Sequence, residues 1–231
     1  MDDRFSRTRL LIGDDGIEKL QSAHVVVIGL GAVGSFVVEA LARCGIGHLT
    51  LVDFDTVAVS NINRQLFALQ STIGTKKTTV AFNRVLDISA DIDVKTADVF
   101  VDDTNISDII QGADFIVDAI DSRDSKIAIY KACQNKKIPF ISSMGAARHF
   151  DPSKIKIDKM KNTTTCPLAS VLRKICKKEG ISMDFPVVYS TEQVSIGQEK
   201  NKTMGSLPTI TGIFGLTLAN EVIRILLQDN A

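Results

Sequence analysis

The stretch that decides the fold is His24-Val-Val-Val-Ile-Gly29-Leu-Gly31-Ala-Val-Gly34. Its apolar first half ends in glycine, which predicts a buried parallel strand, and a helix is expected from about Ala32 to Cys44. Gly29, Gly31 and Gly34 match the G-x-G-x-x-G pattern, whose glycines permit a tight turn and let backbone N–H groups reach a phosphate. The motif is weak alone, but its place between a strand and a helix predicts a nucleotide site. The alternative is a strand–helix turn that merely needs small residues.

The chain beyond this stretch continues to alternate between strand and helix. Strands are predicted at 48–53, 92–97, 114–120 and 137–142, and helices at 77–88 and 123–135. This alternation predicts an α/β protein with a Rossmann-like, doubly wound, mostly parallel sheet.

The pattern changes after Gly145. Residues 154–158 alternate charged and apolar side chains, which predicts a half-exposed antiparallel strand. The remaining predictions are a helix at 167–178, a β-rich run at 186–191, a polar loop at 198–205 and a long final helix after Pro208. We expect one domain over 1–231, with a nucleotide-binding core (1–145), a substrate-facing antiparallel excursion (146–205) and a C-terminal packing helix (206–231).

Composition narrows the class of protein. Lys plus Arg and Asp plus Glu both total 27, so the net charge gives no hint of a nucleic-acid partner, although global neutrality can hide a local excess of one sign. The apolar run at 25–30 is too short for a secretory or membrane-spanning segment. The apolar C-terminal segment carries a narrow polar stripe typical of a packed helix at an interface: Thr217, Asn220, Glu221, Arg224 and Gln228. Four cysteines without a C-x-x-C pair indicate no zinc site, and favour free thiols in a reducing cytoplasm.

A polar loop after the second predicted strand carries candidate nucleotide ligands. Asp53 lies 22 residues after Gly31, where a carboxylate usually holds ribose hydroxyls, and a helix or turn cap is its alternative role. Arg64 follows in the loop, and Lys77 begins a helix whose dipole disfavours cations at that end. A bound triphosphate would explain both cations, because they neutralise charge that grows as pyrophosphate leaves. A solvated pair of cations is the alternative.

Asp121 follows the strand predicted at 114–120, at the sheet edge where α/β proteins bind ligands. A carboxylate there would hold the Mg²⁺ that bridges ATP phosphates. Asp118 lies within the strand and Asp124 within the next helix, so both are poorer candidates. The alternative role of Asp121 is to cap that helix, which does not exclude metal binding.

Together these motifs resemble the ubiquitin-activating-like adenylyltransferase superfamily, whose bacterial members include the molybdopterin and thiamin pathway activators. The resemblance covers about Arg4 to Gly145 and resumes near 205–212. Several ordered motifs at matching spacings make it specific. They are Arg4-Phe-Ser-Arg7, the glycine loop, Asp53-Phe-Asp55, Asn61-Ile-Asn63-Arg64-Gln65, Gly74-Thr-Lys-Lys77 and Asp118-Ala-Ile-Asp121.

The resemblance implies an enzyme that uses ATP to activate a carboxylate as its acyl-adenylate. It also implies residue roles: Arg64, Lys77, Asp121 and Arg7 would be catalytic, with Asp121 as the Mg²⁺ ligand. Arg7 would reach the ATP of the neighbouring subunit, which makes the expected active unit a homodimer. The implied ATP-binding residues are Gly29, Gly31, Gly34, Asp53, Asp55, Asn61, Asn63, Arg64, Gln65, Lys77 and Asp121. A monovalent cation that orders the loops is left open.

Within the superfamily the chain looks like the tRNA threonylcarbamoyladenosine dehydratase branch. It lacks the C-x-x-C zinc pairs common in sulfur-carrier activators, and it has Cys166-Pro-Leu-Ala169, a basic helix after it, and Val188-Tyr-Ser-Thr-Glu192. That branch adenylates the threonylcarbamoyl carboxylate beside the tRNA anticodon. Attack from within the same side chain then gives a cyclic product and AMP. No enzyme cysteine is required, so Cys166 is expected to be an ordinary small residue. Sulfur-relay proteins, such as a cysteine desulfurase, are left open as partners.

The region from 148 to 178 is locally basic, with nine Lys or Arg against two Asp. This excess suits contacts with RNA phosphates and salt-sensitive binding, and a solvated basic face is the alternative. The candidate tRNA contacts are Arg148, Lys154, Lys156, Arg173, Lys174, Lys177 and Lys178.

Other function classes stay open from the sequence. An activator of a ubiquitin-like or sulfur-carrier protein would adenylate a protein C-terminus and would not need the basic region. A nucleotide-binding scaffold without turnover would not need Arg64, Lys77 and Asp121 together. An NAD oxidoreductase is least favoured, because no hydride-transfer acid or base is recognisable.

Overall fold

The computed structural model describes residues 4–193 and 204–228. Its helices are α1 (Ser6–Ser22), α2 (Gly34–Cys44), α3 (Lys77–Ile88), α4 (Ile106–Ile109), α5 (Arg123–Lys136), α6 (Pro167–Glu179) and α7 (Pro208–Leu227). Its strands are β1 (His24–Ile28), β2 (His48–Val52), β3 (Asp93–Ala97), β4 (Phe115–Asp118), β5 (Phe140–Ser143), β6 (Ile155–Lys159) and β7 (Pro186–Ser190).

These strands form one sheet in the order β3-β2-β1-β4-β5-β7-β6. Neighbours pair in parallel from β3 to β7, whereas β6 pairs antiparallel with β7. The predicted Rossmann-like sheet with an antiparallel C-terminal part is therefore confirmed. The apolar runs of β1 and β4 lie in the middle of the sheet, where helices cover both faces. Strand β3 lies at an edge and is mostly exposed.

Helices pack on both faces of the sheet. One core contains side chains from α1, α2, α3 and α7, and the second contains side chains from α4, α5 and α6. Helix α7 crosses α2 closely because Gly215 has no side chain: a Cβ there would lie 2.5 Å from the carbonyl oxygen of Val33. By length and composition α7 could also cross a membrane, but half of its most apolar window is buried inside the protein. Packing against α2 accounts for its apolar character.

Some boundaries differ from those expected from the sequence. Strand β5 begins at Phe140 and not at 137, because Lys137 ends α5 in a left-handed conformation (φ 57°). Helix α1 was not predicted; it buries Ile17 and Leu20 and is interrupted at Gly13 (φ 75°). Most of the polar loop predicted at 198–205 lies outside the described residues. The division into core, excursion and C-terminal helix stays a prediction.

Candidate active site

The candidate site lies where the strand order reverses. From β1 the chain passes to β2 on one side and later to β4 on the other, and such switch points form ligand crevices at the carboxyl ends of the strands. The glycine loop follows β1, Asp53 follows β2, and Asp121 lies three residues beyond the end of β4. The fold therefore brings three predicted segments to one crevice.

The three glycines of the loop differ in what an added Cβ atom would contact. Gly29 has a left-handed backbone (φ 93°), and a Cβ there would lie 2.8 Å from the carbonyl oxygen of Ala119. A Cβ on Gly34 would lie 1.7 Å from the carbonyl oxygen of Gly29. At Gly31 the nearest atom is Nε2 of Gln65 at 3.7 Å, and the backbone is not left-handed. The chain itself requires Gly29 and Gly34, whereas Gly31 leaves space that a phosphate can approach.

Asp53 holds the glycine loop against the turn after β2. One carboxylate oxygen accepts a hydrogen bond from the N–H of Leu30 (2.7 Å), and the other accepts from the N–H of Asp55 (2.9 Å). The turn-capping role considered from the sequence is therefore present. Each oxygen retains a second lone pair, so capping is compatible with the ribose contact, which stays a prediction.

Arg64 is anchored within its own loop. One terminal nitrogen, Nη1, donates to Oδ1 of Asn63 and to the carbonyl oxygen of Ser60, both at 2.8 Å. Asn63 in turn donates to the carbonyl oxygen of Ser206 (3.3 Å), and Asn61 accepts from the N–H of Ala58 (3.0 Å). These contacts hold the guanidinium of Arg64 without using Nε or Nη2 in any hydrogen bond among the described residues.

Lys77 is not a solvated cation. It is 5% exposed, and its ammonium lies 2.8 Å from Oδ2 of Asp55. The backbone N–H of Lys77 also donates to the carbonyl oxygen of Asp55 (3.0 Å). The solvated alternative is therefore wrong for Lys77, since a half-exposed carboxylate holds its ammonium at the start of α3.

Asp121 is exposed in the loop between β4 and α5. The capping residue of α5 is Ser122, whose Oγ accepts from the N–H of Ser125 (3.5 Å), so the capping alternative for Asp121 is wrong. The described residues contain no group of three His, Cys, Asp or Glu side chains that could hold a metal. An exposed single carboxylate still suits Mg²⁺ that is bound through substrate phosphates and water.

Two aromatic side chains beside Asp53 were missed by the sequence analysis. Phe54 and Phe100 are about half exposed and meet edge to face, with ring centroids 5.2 Å apart. Phe54 directly follows Asp53, and Phe100 lies three residues after the end of β3. The signal was the apolar residue inside the polar Asp53-Phe-Asp55 motif. Exposed aromatic faces at this edge suit a nucleotide base.

The loop after β5 and the end of β7 meet the loop before α6 on the other side of the crevice. A Cβ on Gly145 would lie 3.8 Å from Sγ of Cys166, and the hydroxyl of Thr165 donates to the carbonyl oxygen of Ser190 (3.1 Å). Arg148 (φ 66°) and Thr165 (φ 57°) have left-handed backbones, which cost energy in non-glycine residues and are frequent at functional sites. The N–H of Arg148 donates to the carbonyl oxygen of Gly205 (2.9 Å).

His149 and Glu192 form a second feature that the sequence did not reveal. The carboxylate of Glu192 accepts hydrogen bonds from the N–H groups of Asp151 and Phe150, both at 2.9 Å, and these bonds lower the pKa of Glu192. Nδ1 of the buried His149 lies 3.7 Å from this carboxylate. Through these two bonds Glu192 fastens the loop after β5 to the residues that follow β7.

Only some of the basic side chains in the 148–178 region are exposed enough to contact tRNA phosphates. Arg173 is half-buried and donates to the carbonyl oxygen of Thr163 (2.8 Å). Lys159 and Lys161 both pair with Asp184, which lowers the pKa of Asp184 to about 2. Arg148 is also half-buried. The exposed candidates for tRNA contact are Lys154, Lys156, Lys174, Lys177 and Lys178.

The thiols have the environment of structural cysteines. Burial raises the pKa of Cys133 to about 12 and the pKa of Cys176 to about 11, and it also raises the pKa of Cys44. Cys166 is 4% exposed. Thiolates are the reactive form of cysteine, so these environments disfavour a nucleophilic role.

Comparison with known proteins places the chain in a family. The chain belongs to the ThiF family, whose model matches residues 5–231. This match confirms the resemblance drawn from the motifs. A tRNA threonylcarbamoyladenosine dehydratase of Bacillus subtilis (strain 168) is 37% identical over 242 residues, covering 98% of this chain and 95% of that protein.

Solved structures agree with this assignment. The E. coli tRNA N6-threonylcarbamoyladenosine dehydratase TcdA in complex with ATP is similar with a TM-score of 0.91 and 32% identity, over 97% of this chain and 93% of that chain. Its complex with AMP gives a TM-score of 0.92 and 33% identity, over 97% and 94% of the two chains.

Proposed function

We propose that this chain catalyses the ATP-dependent cyclisation of the threonylcarbamoyladenosine of tRNA, a net dehydration. The observation that carries the proposal is the open glycine loop beside Asp53, Arg64 and Lys77. It occurs in a chain similar, over almost its whole length, to proteins named for this reaction. The activity is expected in the cytoplasm, where tRNA is modified and where the free thiols stay reduced.

ATP would bind across the crevice at the switch point. Its phosphates would approach Gly31, its ribose would lie at Asp53, and its base would lie near the aromatic pair of Phe54 and Phe100. The ammonium of Lys77 and the Nε and Nη2 groups of Arg64 would contact the phosphates. Because Asp55 and Asn63 already hold these cations, little side-chain freedom is lost when ATP binds.

The reaction would proceed in two displacements. An oxygen of the threonylcarbamoyl carboxylate attacks the α-phosphorus, so that a carboxylate–phosphorus bond forms and pyrophosphate leaves. An atom of the carbamoyl group in the same side chain then attacks the activated carbonyl carbon, loses its proton, and displaces AMP. The second step needs no enzyme nucleophile, because an internal nucleophile has a high effective concentration. Arg64 and Lys77 would stabilise the negative charge on the departing pyrophosphate.

Asp121 would hold Mg²⁺ together with the ATP phosphates. The ion would neutralise phosphate charge when bound. The exposure of Asp121, and the presence of a different cap on α5, leave its carboxylate available for this role. This mechanism needs neither a monovalent cation nor a sulfur-relay protein, and both stay open.

The active unit would be a homodimer. Arg7 is exposed near the start of α1, and the same helix exposes Leu10 (83%) and Leu11 (85%). Large apolar side chains side by side on a surface are typical of a protein–protein interface. A partner packed on α1 would bring the guanidinium of Arg7 towards that partner and its nucleotide.

The tRNA would lie on the face formed by the described part of the excursion, 146–193. The exposed lysines of α6 and β6 are suited to phosphates of the anticodon stem, and they contribute affinity without base specificity. A modified base would then reach the crevice between the loop after β5 and the end of β7. Arg173 donates to the carbonyl oxygen of Thr163 and Arg148 is half-buried, so both would contribute less to tRNA binding than the exposed lysines.

Nucleoside mass spectrometry on modified tRNA incubated with enzyme, ATP and Mg²⁺ tests the proposal. The expected result is loss of one water from the nucleoside together with formation of AMP. Arg64→Ala and Asp121→Ala should each abolish AMP formation while the protein stays folded. Arg43→Ala is the matched control, because Arg43 pairs with Glu39 on the outer face of α2.

A negative result has a defined meaning. If the wild-type protein leaves the nucleoside unchanged, the proposal is wrong. Pyrophosphate exchange that depends on an added carrier protein ending in Gly-Gly would then support the second candidate, activation of a protein C-terminus. Full activity of Arg64→Ala or Asp121→Ala would show instead that the assigned mechanism is wrong.

A further inference from the structure

A buried ion pair lies beneath the crevice, between β4, β5 and α5. The side chains of Asp118 and Lys126 are 0% exposed, and Nζ lies 2.8 Å from Oδ2. The same ammonium donates to the carbonyl oxygen of Ser143 (2.7 Å) and lies 3.2 Å from Oγ of Ser142. Ser142 donates to Asp118 (2.6 Å), and the hydroxyl of Tyr130 lies 2.7 Å from Oγ of Ser142. The ammonium and the carboxylate are thus surrounded by polar partners.

This pair is poorly explained by stability alone. Removing two charges from water is costly, and apolar residues of similar volume often serve the folded state equally well. Lys126 also lies in the first turns of α5, where the helix dipole disfavours a cation. A role other than general stabilisation is therefore indicated.

The pair joins the two loops that border the crevice. Oδ1 of Asp118 accepts from the N–H of Ile120 (3.3 Å), the residue directly before Asp121. Lys126 holds the carbonyl oxygen of Ser143, two residues before Gly145 and the loop on the substrate side. One buried network thus sets the position of the loop after β4 relative to the loop after β5.

We propose that Lys126, through Asp118, is a positioning residue that holds the carboxylate of Asp121 in place relative to the loop after β5. The inference rests on the proposed function, because Asp121 matters only if its carboxylate binds Mg²⁺ at the bound ATP. The side chain of Lys126 is fully buried, so it has no surface exposed to the crevice. Its effect passes through the backbone of the β4–α5 loop.

A neutral replacement of the pair tests this inference. Lys126→Met alone would leave the carboxylate of Asp118 buried and unpaired, so the protein to measure is the double variant Asp118→Asn/Lys126→Met. The matched control is Lys131→Met/Glu179→Gln, which removes a partly exposed pair (2.7 Å) between α5 and α6. If the double variant does not fold, the same measurements are made on Lys126→Arg. This variant keeps the positive charge but moves the N–H donors away from the position of Nζ.

Three measurements separate positioning from general stability. ATP affinity without Mg²⁺ should be unchanged, because the glycine loop and Asp53 are untouched. The Mg²⁺ concentration for half-maximal AMP formation should rise about tenfold and kcat should fall about 100-fold, as expected for a displacement near 1 Å. In the ligand-free protein, amide hydrogen exchange at 119–122 and 144–147 should become at least about tenfold faster, with the control pair variant like wild type.

The outcomes are distinguishable. Unchanged Mg²⁺ dependence and unchanged exchange in these loops would overturn the inference, and so would equal losses of ATP affinity with and without Mg²⁺. If the wild-type protein forms no AMP from modified tRNA, the proposed function fails. The exchange comparison on the ligand-free protein then still decides whether the buried pair holds the two loops.

Discussion

Two substitutions in the glycine loop, Gly31→Ala and Gly34→Ala, each add one methyl group. Together they separate an effect on ATP binding from an effect on folding. In Gly31→Ala the new Cβ would meet nothing closer than 3.7 Å, and the backbone is not left-handed. We therefore expect Gly31→Ala to fold as well as wild type, or about 0.4–1 kcal/mol better, because alanine restricts the unfolded chain. The same methyl would occupy the space through which a phosphate approaches the loop.

The expected size of the binding effect can be worked out by mass action. ATP at 100 times its Kd stabilises the wild-type protein by about 2.7 kcal/mol. For a chain of this length that corresponds to a rise in Tm of about 5–10 °C. If the methyl of Gly31→Ala weakens ATP binding about 100-fold, the same concentration gives only about 0.4 kcal/mol. The Tm should then rise by no more than about 2 °C.

Gly34→Ala is the matched comparison. Its Cβ would lie 1.7 Å from the carbonyl oxygen of Gly29, so backbone atoms would have to move apart by more than an ångström. Such overpacking costs about 1–3 kcal/mol or more, and here the neighbour is not a flexible side chain. Gly34→Ala should therefore lose stability even without ATP, which urea unfolding measures directly. An ATP-dependent rise in Tm of Gly31→Ala equal to that of wild type would refute the placement of the phosphates at this loop.

Other expected outcomes concern the interface, the RNA and the thiols. Arg7→Ala and Asp121→Ala should each be inactive, yet mixing them should restore AMP formation if Arg7 acts in the partner's site; absence of recovery would favour a role within its own subunit. Replacing lysines of α6 with glutamine should weaken tRNA binding and reduce the slope of log affinity against log salt by about 0.7–0.9 for each RNA phosphate that the variant no longer neutralises; an unchanged slope would contradict their role. The triple variant carries Lys174→Gln, Lys177→Gln and Lys178→Gln. With pKa values of about 12 and 11, Cys133 and Cys176 should react with iodoacetamide at pH 8 only after unfolding, and rapid labelling of the native protein would contradict their burial.

The sequence predicts most of the candidate site because the chemistry of that site is local. The glycine loop, Asp53 and Asp121 each lie directly after an apolar run, and parallel strands bring their carboxyl ends to one edge. Edge strand β6 was also predictable, because its charged and apolar residues alternate with period two. Helix α1 was not, since most of its residues are exposed and Gly13 interrupts its periodicity.

Only the tertiary structure decides which polar groups form hydrogen bonds and ion pairs with each other. The sequence assigned Asp53, Lys77 and Asp121 to the nucleotide without showing that Asp53 caps the glycine loop, that Asp55 holds Lys77, or that a serine caps α5. It also left Lys126 unnoticed. Its buried pairing with Asp118 joins residues eight positions apart through a strand, a loop and a helix.

The physical reason is that sequence patterns act between residues close together in the chain, whereas polar partners often come from distant segments. Hydrophobic periodicity and the conformational needs of glycine act over a few residues, so by itself the sequence determined the strand–helix order, the phosphate loop and the family resemblance. The partners of hydrogen bonds and ion pairs depend on distances between segments far apart in the chain, such as Asn63 and Ser206 or Arg148 and Gly205. Those distances exist only after the sheet and its two helical layers have packed, so only the tertiary structure decided them.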